Sequence, residues 1–275
     1  MPSIREQAPA QRRKARITRS FDLASDSYDE ANGDFFNPVG DRLVDLAGLR
    51  PGDRVLDLGC GRGAVLFAAL AAVGPDGYVA GVDLSPAMVH RTAHQAAGAR
   101  LRNVSVRVDD AEDLGFPDQS FEAVLSSLAL MITPDPDAAL AQAHRVLVPG
   151  GRFGLTVFGP DVQPEWRQAA RTLRDYAEDG PLGLNSLTDA PETALAKAGF
   201  TGIRTVEEVV TVRYADLDGW WSSVRSDGHR GLLESIPSDR LDEAREAAYD
   251  VIRPLAAGGS LTRRTAVRYV TARRP

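Results

Sequence analysis

Apolar positions along the chain fall into short runs separated by longer stretches of mixed polarity. Residues 54–58 read Arg-Val-Leu-Asp-Leu, an apolar run led by β-branched Val55, which is the pattern of a buried strand. Gly59, Gly61 and Gly63 follow at alternating positions, and residues 64–73 then read as a helix. Gly74-Pro75-Asp76-Gly77 is a turn. Further strands are predicted at 78–83, 104–108, 121–126 and 152–158. Helices separate them, one opening at Ser85 and one over 135–147 that stops at Pro149-Gly150-Gly151. Ser85 suits an N-cap, with Pro86 at the first helical position. The alternation predicts an α/β fold, a parallel sheet with helices on both faces.

The flanks are less regular. Residues 21–29 and 35–49 look helical, with Gly33 and Pro38 breaking the run between them. After Gly159 the rhythm loosens, with a helix expected at 191–198, strands at 203–214 and 262–271, and a mostly helical excursion over 217–257. An excursion between the last two strands suits a cap over a ligand site. Trp166, Tyr176, Trp220 and Trp221 either line an acceptor pocket there or form the cap's own core. Three regions are expected: a helical cover over 1–50, a ligand-binding core over 51–160, and the remaining strands with the cap, about 216–260, over 161–275.

Composition narrows the class. Net charge is −6, so the chain as a whole is not built to hold polyanions. The basic start, Arg5, Arg12, Arg13, Lys14 and Arg16, reads better as a solvated tail or first helix than as a nucleic-acid arm. No apolar run approaches the roughly 18–20 residues of a membrane span, and the first ten residues hold no apolar leader segment. A lone cysteine, Cys60, excludes an intramolecular disulfide and suits a reducing, cytoplasmic setting. Packing inside the glycine turn suits Cys60 better than a nucleophilic role. No Cys/His or Glu/His cluster has metal-ligand spacing, so no metal is expected. His90, His94 and His144 read as surface residues. His229 stands next to an acid-bearing turn, Ser226-Asp227-Gly228, inside the expected cap, and is the candidate base.

In an open parallel sheet, ligands bind beyond the carboxyl ends of the strands. The glycine turn, Asp83 after the second strand and Asp110 after the third all collect there. Asp83, twenty residues beyond Gly63, is placed to accept from ribose hydroxyls. The glycine spacing also fits a dinucleotide, and a nicotinamide oxidoreductase is the alternative. Asp57 argues against it, because a buried acid there has the wrong sign for pyrophosphate and the right one for an ammonium.

Val55 to Gly63 resembles the first motif of the class I S-adenosylmethionine (SAM) methyltransferases, and Gly81-Val82-Asp83-Leu84-Ser85 their second. Asp110-Ala111-Glu112 with Leu114, Phe116 and Pro117 resembles the stretch running from the adenine site into strand four. Arg145-Val146-Leu147 with Pro149-Gly150-Gly151 resembles the block after strand four. The resemblance covers residues 20–160 and is closest to the ubiquinone/menaquinone-type group. The remainder is similar, more loosely, to actinobacterial natural-product methyltransferases. It implies a Rossmann-like doubly wound sheet of seven strands, the last antiparallel, with SAM as cofactor and a small molecule as methyl acceptor. Neither nucleic acid nor membrane is an expected partner, and a homo-oligomer is left open.

The resemblance also implies roles. Gly59 and Gly61 would pass under the amino-acid part of SAM, and Asp57 would sit near its ammonium. Asp83 would hold the ribose, and Leu84 and Met88 would pack on adenine. Asp110 would accept from the adenine amino group, and the Ala111 amide would reach a ring nitrogen. Ser127 would match a cofactor-contacting position, and Tyr28 would fold over the methionine end. The chain departs from the family pattern at Asp109, commonly glycine, and at Met131-Ile132, where many relatives carry histidine. A non-catalytic SAM-binding protein is the remaining alternative.

Overall fold

The computed structural model describes residues 4–178, 182–256 and 260–275, with backbone alone for 4–8 and 29–34. Its sheet contains β1 (Arg54–Leu58), β2 (Tyr78–Asp83), β3 (Val104–Val108), β4 (Phe121–Ser127), β5 (Leu147–Phe158), β6 (Thr201–Tyr214) and β7 (Leu261–Arg273). The order across the sheet is β3-β2-β1-β4-β5-β7-β6. β1 pairs in parallel with β2 and β4, and β7 inserts antiparallel between β5 and β6. The strand order reverses direction at β1 and β4, which opens a crevice beyond their carboxyl ends. The doubly wound reading, with the last strand antiparallel, therefore holds.

The helices are α1 (Ile4–Ala24), α2 (Tyr28–Ala47), α3 (Ala64–Val73), α4 (Pro86–Gly98), α5 (Pro136–Val146), α6 (Pro164–Tyr176), α7 (Pro191–Lys197), α8 (Leu217–Val224), α9 (Arg230–Leu233) and α10 (Leu241–Ile252). Ser85 caps α4 as expected, accepting from the Met88 amide. The N-terminal boundary differs from expectation. The chain breaks at 25–27, not at Gly33 and Pro38, both of which lie within α2. Ser25 and Ser27 donate their amides to the carbonyls of Asp22 and Ala24, a local turn that competes with continuing the helix. Downstream, Val39, Leu43, Val44 and Ala47 bury one face of α2 in the sheet core, and that packing outweighs the proline. A second difference lies at Pro149-Gly150-Gly151. Here α5 has already ended at Val146, and the Pro-Gly-Gly run sits inside β5 opposite a register shift between Phe121 and Ala123.

Two apolar cores result. The larger one fills the sheet around Val55, Leu56, Leu58, Val124, Leu125, Phe153 and Leu155. The second joins α6, α8 and α10 to Val212 and Tyr214 of β6 and Leu261 of β7. Trp166, Trp220 and Trp221 belong to that second core and are nearly inaccessible, with the Trp166 and Trp220 rings 5.8 Å apart. Tyr176 packs at its margin and bonds Glu243. The aromatic residues of the cap are thus its own core, and Phe35 of α2 packs against both cores.

Gly40 lets α2 approach the start of α3. A Cβ at this position would lie 2.7 Å from the Ala64 carbonyl oxygen. Gly40→Ala gains about 1 kcal/mol of helix propensity but must displace backbone. The expected net loss is about 1–2 kcal/mol, read as a lower urea midpoint at unchanged m-value. An unchanged or higher midpoint would contradict the close approach.

Candidate functional site

β1 ends in a turn that only glycine forms readily. Gly59, Gly61 and Gly63 take φ values of +71°, +47° and +89°. The amides of Gly59 and Cys60 both donate to the Val82 carbonyl, at 2.8 and 2.9 Å, fastening the turn to β2. A Cβ on Gly59 would lie 2.3 Å from Ala129 Cβ, whereas one on Gly61 would meet nothing within 4 Å. Gly61 thus faces open space in the crevice. The buried Thr92 hydroxyl of α4 donates to the Gly61 carbonyl at 2.6 Å. Cys60 is packed beneath, and burial pushes its thiol pKa up, which removes it as a nucleophile.

Asp83 closes β2 and organises the polar wall. Its Oδ2 accepts from the Gly61 amide at 2.9 Å and its Oδ1 from the Ser85 amide at 2.8 Å. Burial raises its pKa, and those backbone bonds oppose the rise. A carboxylate offers roughly four acceptor sites, so two remain for hydroxyl donors.

Asp57 differs. It is 1% exposed, and its Oδ2 has no hydrogen-bond partner. Burial, with the nearby Asp83 charge, pushes its pKa up to about 8. A backbone hydrogen bond from Leu66 opposes the rise. A buried oxygen left without a partner is costly, and a cation nearby would reverse the shift. An ammonium group therefore fits this position.

The far wall is the loop after β3. Asp109 accepts from Arg107 at 2.7 Å, from the Gly115 amide at 3.2 Å and from the Asp110 amide at 3.0 Å. The residue that departs from the family pattern thus braces its own loop. Asp110 Oδ1 accepts from the Glu112 amide at 2.9 Å.

Between these walls lies a cleft of about 740 Å³, open mouth included. It brings together Tyr28, Gly59, Gly61, Asp83, Leu84, Asp110, Ala111 and Ser127. An adjoining recess of about 460 Å³ shares Tyr28, Gly59, Gly61 and Ser127 and adds Asp57, Phe36, Asn37 and Arg62. Tyr28 stacks on Phe36 at 4.8 Å between the two spaces. Ser127 bonds Thr156 at 3.1 Å.

Two residues singled out from sequence are not brought to the cleft. Met88 is fully buried and lies outside its lining. His229 stands before α9, its side chain 40% exposed and its Nδ1 2.9 Å from Asp227 Oδ1. The Asp227 carboxylate raises the imidazole pKa. Other lining residues escaped sequence reasoning. Ile17 and Phe21 of α1 roof the cleft, and Leu128, Ala129, Leu130, Ile132 and Thr133 form its floor after β4. The apolar i, i+4 spacing of Ile17 and Phe21 was a usable signal. The positive φ of Leu128, +53°, was not foreshadowed by its residue type.

Residues 55–151 match a family model described as a methyltransferase domain. Over 92% of its length the chain is 37% identical to nocamycin O-methyltransferase of Saccharothrix syringae, covering 96% of that protein. It is 44% identical to aklanonic acid methyltransferase of a Streptomyces species over 52% of this chain and 65% of that one. The fold resembles phosphoethanolamine N-methyltransferase 2 of Haemonchus contortus in complex with S-adenosyl-L-methionine. That likeness has a TM-score of 0.60 at 20% identity, covering 92% of this chain and 57% of the other.

The buried Asp57 generates a pH prediction. Its carboxyl titrates near 3.8 when ordinary and at about 8 in the fold. Between those values the folded state holds a proton that the unfolded state has lost, so this group makes stability fall as pH rises from about 4 to about 8. Asp57→Asn removes the effect. Its stability relative to the unsubstituted protein should grow across that window, by a few kcal/mol, and level off above pH 8, as followed by urea unfolding. A difference independent of pH would refute the assignment.

Proposed function

The chain belongs to the S-adenosylmethionine-dependent methyltransferases, and from that membership we propose that it methylates an oxygen of a small acceptor in specialised metabolism. The observation that carries the ligand placement is the unpaired Asp57 Oδ2 beside the glycine turn. It suits an ammonium, and it opposes the pyrophosphate of a dinucleotide, which sets the nicotinamide alternative aside.

In this reading Asp57 faces the ammonium, and Gly59 and Gly61 let the backbone approach the amino-acid part. Asp83 offers its two remaining acceptor sites to the ribose hydroxyls. Leu84 packs on adenine, while Asp110 and the Ala111 amide read its edge. Ser127 and Tyr28 hold the methionine end. Met88 supports this layer from behind, within the core. Residues 1–50 act as cover and 51–160 as cofactor core, and 161–275 complete the sheet and carry the cap toward the acceptor.

When bound, S-adenosylmethionine supplies an electrophilic methyl whose leaving group is a neutral thioether. No side chain is therefore needed as an acid. The work left to the chain is alignment and water exclusion, with Ile17 and Phe21 closing the roof. Among the described lining residues the acids are Asp57, Asp83, Asp109 and Asp110, the last three engaged with backbone amides. Among the described residues no histidine lines either space. An acceptor that arrives ionised, such as a carboxylate or acidic enol, needs no base. That chemistry accords with the names of the two actinobacterial relatives. No described helix is long and apolar enough to cross a membrane. A reducing, cytoplasmic setting suits the free, buried Cys60.

Methyl-labelled SAM with a panel of carboxylate and enol acceptors tests the reading, with transfer to oxygen expected. Tight binding of NADH with no binding of SAM would overturn it. Asp83→Ala should weaken SAM binding by about 1–3 kcal/mol in calorimetry. Unchanged affinity would place the ribose elsewhere. His229→Ala should hold kcat within roughly twofold, since general-base loss would cost about a hundredfold or more.

A further inference from the structure

Helix α1 lies across the cleft and is held by polar contacts at its midpoint and towards its C-terminal end. Lys14, Ile17 and Phe21 share one helical face. Ile17 and Phe21 hang into the cleft. Lys14 Nζ lies 2.6 Å from Asp110 Oδ2 and 2.5 Å from Glu112 Oε2. All three side chains are largely withdrawn from water, at 25%, 28% and 10% exposure. Glu112 reaches on to the Asp135 amide at the start of α5, at 2.9 Å. Arg13, beside Lys14, donates to the carbonyls of Ile132 and Gly183. At the other end, Asp22 Oδ1 accepts from the Ser85 hydroxyl at 2.5 Å and the Ala87 amide at 3.1 Å, closing α1 onto the start of α4.

The roof is thus fastened to the very loops that would grip the nucleoside. Asp110, the acid placed against adenine, is the same carboxylate that holds Lys14. Its Oδ1 is fixed by the Glu112 amide and its Oδ2 by the Lys14 ammonium, which leaves one orientation for the remaining lone pairs. Burial disfavours the charged lysine, but its bonds to the two acids outweigh burial and raise its pKa. The contact is charge-assisted and geometrically exact enough to act as a fastening. A ligand lying between Asp83 and Asp110 would have Ile17 and Phe21 of α1 packed along one side of it.

We propose that Lys14 is a positioning residue that orients Asp110 for adenine and, in the same contact, latches α1 over the bound nucleoside, so that it governs how fast the product is released. This rests on the cofactor reading given above. The resulting device is a cation bridging two carboxylates on the β3 loop. It makes release sensitive to ionic strength, because added salt weakens partly exposed ion pairs.

The test uses the full chain immobilised for surface plasmon resonance, with S-adenosylhomocysteine as the probe. Lys14→Met should release the probe about tenfold faster, the scale for losing a charge-assisted bond, with a smaller change in association. Raising salt from roughly 0.05 to 0.5 M should speed release from the unsubstituted protein and leave Lys14→Met nearly flat. Lys14→Arg should keep slow release. The exchanged pair Lys14→Glu with Glu112→Lys should recover part of it, a rescue that general loss of helix packing would not show. A release rate unchanged in Lys14→Met, or a salt response retained by it, overturns the proposal while leaving the cofactor reading intact. Absence of probe binding to the unsubstituted protein overturns both.

Discussion

The hydrogen bond from the Gly61 amide to Asp83 holds the site together. It joins the turn after β1 to the end of β2, so the groups on the two loops keep a fixed spacing. A glycine turn has no side chains with which to define itself. Here its path is set from outside, by Asp83 on one side, the Val82 carbonyl beneath and the Thr92 hydroxyl behind. Asp83 in turn is fixed by the Ser85 amide at the start of α4. The carboxylate is thereby an internal brace that keeps acceptor capacity to spare. Rigidity of this kind reduces the ordering cost of binding, because the polar groups are already in place.

The parts of the fold that read clearly from sequence are those where local pattern and tertiary burial agree. β1, β2 and β3 run between the residues at which apolar patterning and turn residues placed them. Pro38 and Pro149 mark where the two disagree. Each looks like a stop signal, yet Pro38 is carried within a helix whose next two turns are buried, and Pro149 within a strand that bulges around it, since Leu147 pairs with Phe121 but Arg152 with Ala123. In the site, the carboxylates and glycines were legible because strand ends converge on one crevice. The roof was not, because the basic face of α1 looks like any solvated helix until its partners across the cleft are known. For His229 the neighbouring acid is visible in sequence, while its absence from the lining of the cleft and recess is not.

Division of labour within the chain follows from the two cores. The sheet core supports the cofactor wall, and the cap spends its tryptophans on holding itself together. Few large aromatic groups are then left to recognise an acceptor. Those that remain near the cleft are Phe21, Tyr28 and Phe36, which touch one another in sequence across the α1–α2 junction. The N-terminal helices, more than the second core, furnish the aromatic surface beside the cleft and its recess.

β6 and β7 run through both cores: Val212, Tyr214 and Leu261 belong to the cap's, while Val267, Tyr269 and Val270 belong to the sheet's. Phe35 packs against both as well. Elements shared in this way prevent the cap from behaving as an interchangeable module. A substitution that reshapes the second core is transmitted along two continuous strands into the core that backs the cleft. Change is therefore least encumbered on the short loops that belong to one core alone.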